Sequence, residues 1–330
     1  MLHQLPVSIK NMKRAVAFVG PLTQIRHVKM LGTSFTGTTL LAMLLDTHPQ
    51  MASIGELAYC IRAGQPSLET PYLCSCGVPI GDCEFFRQVR EICARVGVDL
   101  DLYDFGTQLG RHLPRQLRRI LFGTASRHLA LQSTRDAAVR AVPGLGRHVD
   151  DVMTRSELVA AAVLEASGKQ IFVDSSQGFD TILPMLRRPR LRLQVIHVVR
   201  DVRAIAQSNL NRGRLDVAKT VRNWKRVQSA GLALEPRLGP RQYLRLRLEE
   251  FCQYPERSLE QVCEFLHVET SDMIGLVNER PHHVIGNTMR LQPIRPITAD
   301  EKWRSSLEPS QLHVCQRLAG KLNQRLGYEG

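Results

Sequence analysis

Short apolar runs, each followed by a stretch of helical periodicity, recur along this chain. HVKMLG, from His27, has the pattern of a buried strand, and residues 38–46 (TTLLAMLLD) read as the helix behind it. MASI at residues 51–54 is a second, shorter apolar strand. IFVD at 171–174 and LQVIHVVR at 193–200 repeat the pattern, the latter leading into a helix from near Asp201. QYLRLRL at 242–248 precedes a helix that opens on Pro255 and runs to about Leu266. Proline suits a first helical position, where its missing N–H has no helical partner to lose. Residues 310–326 give a last amphipathic helix. Strands that are apolar throughout, each leading into a helix, predict an α/β fold: one domain, 1–330, with a parallel sheet covered by helices on both faces. Residues 1–25 read as an N-terminal extension. Residues 85–165 are helical and irregular, and read as an insertion on the acceptor side of any site.

Composition narrows the partners. The net charge of +13 calls for an anionic partner or a solvated basic surface, with basic residues concentrated at 111–127 and 187–192. Aromatic residues are 5% of the chain, which argues against a base-stacking surface and so against nucleic acid. No apolar run is long enough for a transmembrane helix, and MLHQLPVSIKNMKR at the start lacks the apolar core of a signal peptide. A cytoplasmic location with reduced thiols is expected, with peripheral membrane contact left open.

The chemistry-bearing feature is LGTSFTGTT, residues 31–39. Gly32 and Gly37 have the G-x-x-x-x-G spacing of a phosphate-binding loop, between a strand and a helix as that loop requires. Backbone N–H groups in such a loop, with the helix N-terminus behind them, cradle anionic oxygens. Thr38 stands where an ATP-binding loop has the lysine that reaches the β- and γ-phosphates. An ATP or GTP hydrolase or a kinase is therefore disfavoured. Read alone, the segment fits a structural strand–turn–helix equally well.

Residues 32–57 (GTSFTGTTLLAMLLDTHPQMASIGEL) resemble the 5′-phosphosulfate loop of the sulfotransferases that use 3′-phosphoadenosine 5′-phosphosulfate (PAPS). His48-Pro49 and Gly55-Glu56 fall where that family has its histidine-proline and glycine-glutamate pairs. VIHVVRDVRAIAQSNLNR, residues 195–212, resembles the family's 3′-phosphate motif, with Arg200 at the strand end and Ser208 two turns into the helix. Independently, arginine offers a planar fork to a phosphate monoester, although Arg200 and Asp201 could equally form a helix-capping ion pair. Residues 245–268, 282–290 and 302–307 are similar to later family segments.

The resemblance implies a P-loop NTPase-like fold and transfer of a sulfuryl group from PAPS to a hydroxyl or amine, with no metal required. The acceptor would be a carbohydrate, a lipid or a small metabolite. Ser34, Phe35, Thr36, Gly37, Thr38, Thr39, Arg200, Ser208, Arg290 and Lys302 are the implied donor contacts. By resemblance to the tyrosylprotein branch, Glu56 is the candidate general base. Trp303 reads as core packing in preference to an adenine platform.

Two departures from the family pattern bear on catalysis. Phe35 replaces the loop's usual Arg or Lys, and Gln177 falls in a segment that often carries Lys. Removing one positioned donor can cost about 10²–10³ in rate. Arg290, Lys302 and Arg62 are candidates to replace the cation. The alternative reading is a non-catalytic protein that binds PAPS or adenosine 3′,5′-bisphosphate on the same fold. Finally, Cys74, Cys76 and Cys83 cluster, with Cys60 upstream. They either hold a structural Zn²⁺ or stand as free, partly buried thiols. His48 is a further candidate ligand, though its place before proline at a helix end has a structural explanation.

Overall fold

The computed structural model describes residues 24–58, 71–123, 129–213, 216–279, 281–294 and 296–329. Cys60, Arg62 and most of the N-terminal extension lie outside them. The elements run β1 (Ile25–Leu31), α1 (Thr38–Thr47), β2 (Met51–Ser53), α2 (Glu84–Arg95), α3 (Arg115–Leu121), α4 (Leu129–Ala141) and α5 (Pro143–Ser167). They continue with β3 (Ile171–Asp174), α6 (Ile182–Met185), β4 (Leu191–Val199), α7 (Val202–Leu210), α8 (Val217–Leu238) and β5 (Tyr243–Arg247). The chain ends with α9 (Leu248–Gln253), α10 (Pro255–Leu266), α11 (Met273–Leu276), a 3₁₀ turn (Thr288–Leu291), α12 (Trp303–Ser306) and α13 (Pro309–Arg325).

The five strands form one parallel sheet in the order β2-β3-β1-β4-β5. β1 is central. Its Val28 and Met30 pack under α1, while Leu31 faces Val152 and Met153 of α5 and Ala230 and Leu234 of α8. Apolar residues on both faces of one strand are what a sheet covered on both sides demands. The expected α/β fold is therefore present. Within the 85–165 stretch, α5 is more than an appendage: its run from Leu158 to Leu164 lies wholly in the core beside Ala52 and Phe172.

Two polar positions on the apolar strands stand out. Lys29 and Asp174 are register partners on β1 and β3, and their side chains form an ion pair of 2.7 Å, each 1% exposed. Burial opposes ionisation of Asp174, but Lys29 and then His27 outweigh it and hold the carboxyl well below the usual carboxylate range. Asp174 also accepts from the Leu57 and Ser176 amides, so one buried carboxylate ties together the exits of β1, β2 and β3.

Candidate functional site

β1 runs to β2 and β3 on one side of the sheet, and β4 and β5 lie on the other. The crevice at the carboxyl ends of β1 and β4 is thus a topological switch point, the usual ligand position in an open α/β sheet. Residues 32–37 occupy it. A Cβ on Gly32 would come within 2.7 Å of Thr36 Oγ1 and 3.0 Å of the Val198 carbonyl. Gly37 has φ 80° at the N-cap of α1, and a Cβ there would approach Leu248 to 2.5 Å. Close packing thus favours glycine at both positions of the G-x-x-x-x-G spacing, and backbone freedom favours it at Gly37 as well. Thr36 closes the turn by donating from Oγ1 to the Thr33 carbonyl at 2.7 Å. Thr38 and Thr39 begin α1, whose N-terminus has no side-chain cap and no acid in its first turn. No residue of its own first turn therefore opposes its partial positive charge. Ser34 is exposed at the tip.

Phe35 has φ 69°, a left-handed conformation that costs a non-glycine residue about 1–3 kcal/mol. Two contacts hold it there. Its half-buried ring packs on the cluster formed by Val199, Val202, Ile205 and Trp224. Its carbonyl accepts from Arg200 Nη1 at 2.8 Å.

Arg200 is the junction of the site. Beyond Phe35 it reaches Ser208 Oγ at 3.4 Å and the Asp300 carbonyl at 3.4 Å. The Trp224 indole donates to the Arg200 carbonyl at 3.0 Å and fixes its backbone. The alternative of a capping ion pair between Arg200 and Asp201 is not what the geometry gives. The Asp201 carboxylate caps α7 through the Arg203 amide and pairs with the Arg203 guanidinium at 2.7 Å. Arg200 thus bridges the loop and Ser208.

Arg212, not singled out in the sequence, belongs with them. It follows Ser208 by four residues, and its guanidinium lies 5.1 Å from the centroid of the Phe35 ring. It lies in the turn that follows α7, two residues past Leu210, so no helical spacing pointed to it.

Gln177 donates to Thr38 Oγ1 at 2.8 Å, so the segment after β3 does reach the start of α1, with an amide where the family often has an ammonium. Glu56 is half-buried beyond β2, its side chain lying against Gly286 and its amide donating to the Ile285 carbonyl at 3.5 Å. Neighbouring strands are about 4.8 Å apart, so the end of β2, two strands away, stands about 10 Å from that of β1.

Arg290 and Lys302 are placed differently from each other. Arg290 is buried, donates to the Leu73 and Gly286 carbonyls at 2.7 and 2.9 Å, and lies over the Tyr72 ring. Lys302 is exposed at the N-cap of α12, two residues from the Asp300 carbonyl that meets Arg200. Trp303 is 7% exposed, packs with Ala204 and Leu307, and has Arg203 and Arg304 against its ring, the core role expected of it. Both ring nitrogens of His48 are engaged, with the Glu269 carbonyl and the Gln50 amide, so it is structural and apart from the cysteines. Cys74, Cys76 and Cys83 do come together, and their fourth neighbour is His283.

Residues 154–272 match the model of the sulfotransferase family. That stretch carries β3, β4, α7 and β5, and with them Arg200, Ser208 and Arg212. Among solved structures, the chain is similar to the sulfotransferase domain from the curacin biosynthetic pathway: TM-score 0.51, 18% identity, covering 93% of this chain and 99% of that one. It is also similar to sulfotransferase STF9 from Mycobacterium avium, with TM-score 0.49, 13% identity and coverage of 96% and 82%. The sulfotransferase domain of the Synechococcus PCC 7002 olefin synthase follows at TM-score 0.44, 18% identity and coverage of 90% and 95%. No curated protein matches. The family match bears out the resemblance to the sulfotransferase family read from the sequence.

Proposed function

We propose that this protein transfers a sulfuryl group from PAPS to a hydroxyl or amine, releasing a sulfated product and adenosine 3′,5′-bisphosphate. The observation that carries this reading is Arg200. One guanidinium binds the backbone of the strand–turn–helix loop and reaches Ser208, so the loop and the second motif adjoin, which supports reading them as one anion site. A donor with phosphate at both ends of its ribose needs such a pair of adjoining cradles.

In this reading the amides of residues 34–39 and the N-terminus of α1 hold the 5′-phosphosulfate, with the hydroxyls of Thr38 and Thr39. Arg200, Ser208 and Arg212 hold the 3′-phosphate, and Lys302 flanks it. The acceptor oxygen or nitrogen forms the new bond to sulfur as the bond from sulfur to the phosphate oxygen breaks. The acceptor proton goes to Glu56, and the leaving oxygen carries its charge into the loop. The acceptor, whether carbohydrate, lipid or small metabolite, approaches from the side of residues 85–165. Cytoplasmic residence is part of the same reading.

Calorimetry with adenosine 3′,5′-bisphosphate tests it. Binding at one site per chain is expected, and no detectable binding removes the proposal. A second reading, donor binding without turnover, is favoured by Phe35 and Gln177 standing where cations are usual. Tight nucleotide binding with no product from a broad acceptor panel would select it.

A further inference from the structure

We propose that Cys74, Cys76, Cys83 and His283 form a structural zinc site. Three of these residues come from one short segment and the fourth from a segment two hundred positions on, yet their ligand atoms all lie within 4.8 Å of one another. The individual separations are 3.7 Å from Cys74 Sγ to Cys83 Sγ, 3.7 Å from Cys76 Sγ to Cys83 Sγ, 3.3 Å from Cys83 Sγ to His283 Nδ1 and 3.8 Å from Cys74 Sγ to His283 Nδ1. Zinc at the centre of a regular tetrahedron, with bonds of about 2.3 Å to sulfur and 2.0–2.1 Å to nitrogen, sets ligand separations of roughly 3.8 Å between sulfurs and 3.6 Å from sulfur to nitrogen. Four of the six separations are thus within about 0.3 Å of the edges of a zinc tetrahedron, and the other two are no longer than 4.8 Å. Four protein ligands leave no open position, the mark of a structural rather than a catalytic site.

The surroundings support the ligands as a built site. The Cys74 amide donates to the Val78 carbonyl and the Gly77 amide to the Cys74 carbonyl, so the C-x-C segment curls into a tight turn with Gly77 at φ 90°. A left-handed residue there is what glycine allows at least cost. The His283 imidazole is stacked on Phe85, with centroids 4.6 Å apart and an interplanar angle of 8°, which fixes the plane of its Nδ1 lone pair. Cys83 directly precedes α2, and Cys74 and Cys83 are both buried. Among the described residues the group that joins the three cysteines is His283; Cys60 lies outside them. His283 could not be found by local spacing, because only the fold brings it to the cysteines.

On binding, each of the three thiols gives its proton to solvent and its sulfur to Zn²⁺, and the imidazole binds in its neutral form. The consequence reaches the candidate active site without any part in the transfer step. The segment after His283 is the one on which Glu56 rests: Ile285 pairs with the Ile54 carbonyl at 2.8 Å, and Gly286 lies against the Glu56 side chain. Ser75 adds direct ties, donating to the His282 carbonyl and accepting from the Val284 amide. Zinc here fastens the floor beneath Glu56.

The test uses the full chain, purified under reducing conditions from zinc-supplemented medium and freed of loose metal by gel filtration. Elemental analysis should find one zinc per chain. X-ray absorption at the zinc edge should give three sulfur neighbours and one nitrogen. Cys83→Ser and His283→Ala should each lose most of the metal, while Cys93→Ser, a buried cysteine outside the cluster, should retain it. Because the wild-type spectrum needs no variant, poor folding of Cys83→Ser does not blunt the test. Wild-type protein that takes up no zinc on reconstitution, a zinc shell without sulfur, or a disulfide between Cys74 and Cys83 in freshly purified protein would each overturn the proposal. None of these results depends on whether the protein binds adenosine 3′,5′-bisphosphate.

Discussion

The Arg212 guanidinium lies over the Phe35 ring, 5.1 Å from its centroid, so the residue that removes a cation from the loop also positions one beside it. A cation over an aromatic face gains about 0.5–1 kcal/mol where exposed, enough to bias a long side chain toward one place. Arg212→Ala is expected to weaken adenosine 3′,5′-bisphosphate binding about tenfold, in line with the roughly 1.5–3 kcal/mol of a hydrogen bond to a charged group. Phe35→Leu should weaken it less, by freeing Arg212 without removing it. Calorimetry on both variants decides; unchanged affinity in Arg212→Ala takes this residue out of the site.

Arg200→Ala is expected to have the largest effect on nucleotide affinity, because it removes the proposed phosphate ligand and also releases the Phe35 carbonyl. The loss should reach at least a hundredfold, against roughly fivefold for Ser208→Ala, which deletes one neutral donor. Wild-type affinity in Arg200→Ala would falsify the assignment of the 3′-phosphate site.

Glu56→Gln should fold and bind the nucleotide as wild type does but lose turnover. General-base removal costs about 10²–10⁴ in rate. Gly286→Ala offers a second approach: its φ of 109° and a Cβ 3.1 Å from Glu56 Cγ force the carboxylate to move. Nucleotide affinity should again hold while kcat falls. Normal kcat in Glu56→Gln means that another group takes the proton.

His197 supplies a pH signature of stability. It is fully buried between Gln228 and Tyr243, and burial pushes its pKa from 6.5 down to about 4. The unfolded chain therefore takes up a proton at His197 between about pH 6.5 and 4 while the folded chain does not. Its contribution to stability is complete above that window and falls as pH drops through it, by up to about 3 kcal/mol. Urea unfolding followed across this range should show the slope in wild type and a shallower one in His197→Asn. Equal slopes exclude the mechanism.

Lys29→Met removes the close ion-pair partner of the buried Asp174, leaving His27 at 3.8 Å, and should cost about 3–5 kcal/mol. Adding Asp174→Leu should recover only part of this, because the Leu57 and Ser176 amides then lose their acceptor. Chemical denaturation of the single and double variants measures the difference; a double variant as stable as wild type contradicts the shared-cap reading of Asp174.

Much of the fold was legible in the chain because it is governed by local regularities. The apolar runs at β1, β3, β4 and β5 predict their strands to within about two residues at each end, and IFVD and the Pro255–Leu266 helix are found where expected. The loop was legible for the same reason: a G-x-x-x-x-G turn between a strand and a helix is a local pattern, and so is an arginine at a strand end followed by a serine on the next helix. The tertiary structure decided what depends on strand order and on contacts far apart in the chain. Pairing β1 with β4 brought Arg200 to the Phe35 carbonyl instead of to Asp201. The return of residues 282–290 across the end of β2 buried Arg290 on the carbonyls of Leu73 and Gly286, and put His283 among three cysteines. Sequence spacing sets which residues share an element, but only the packing of elements sets which side chains meet.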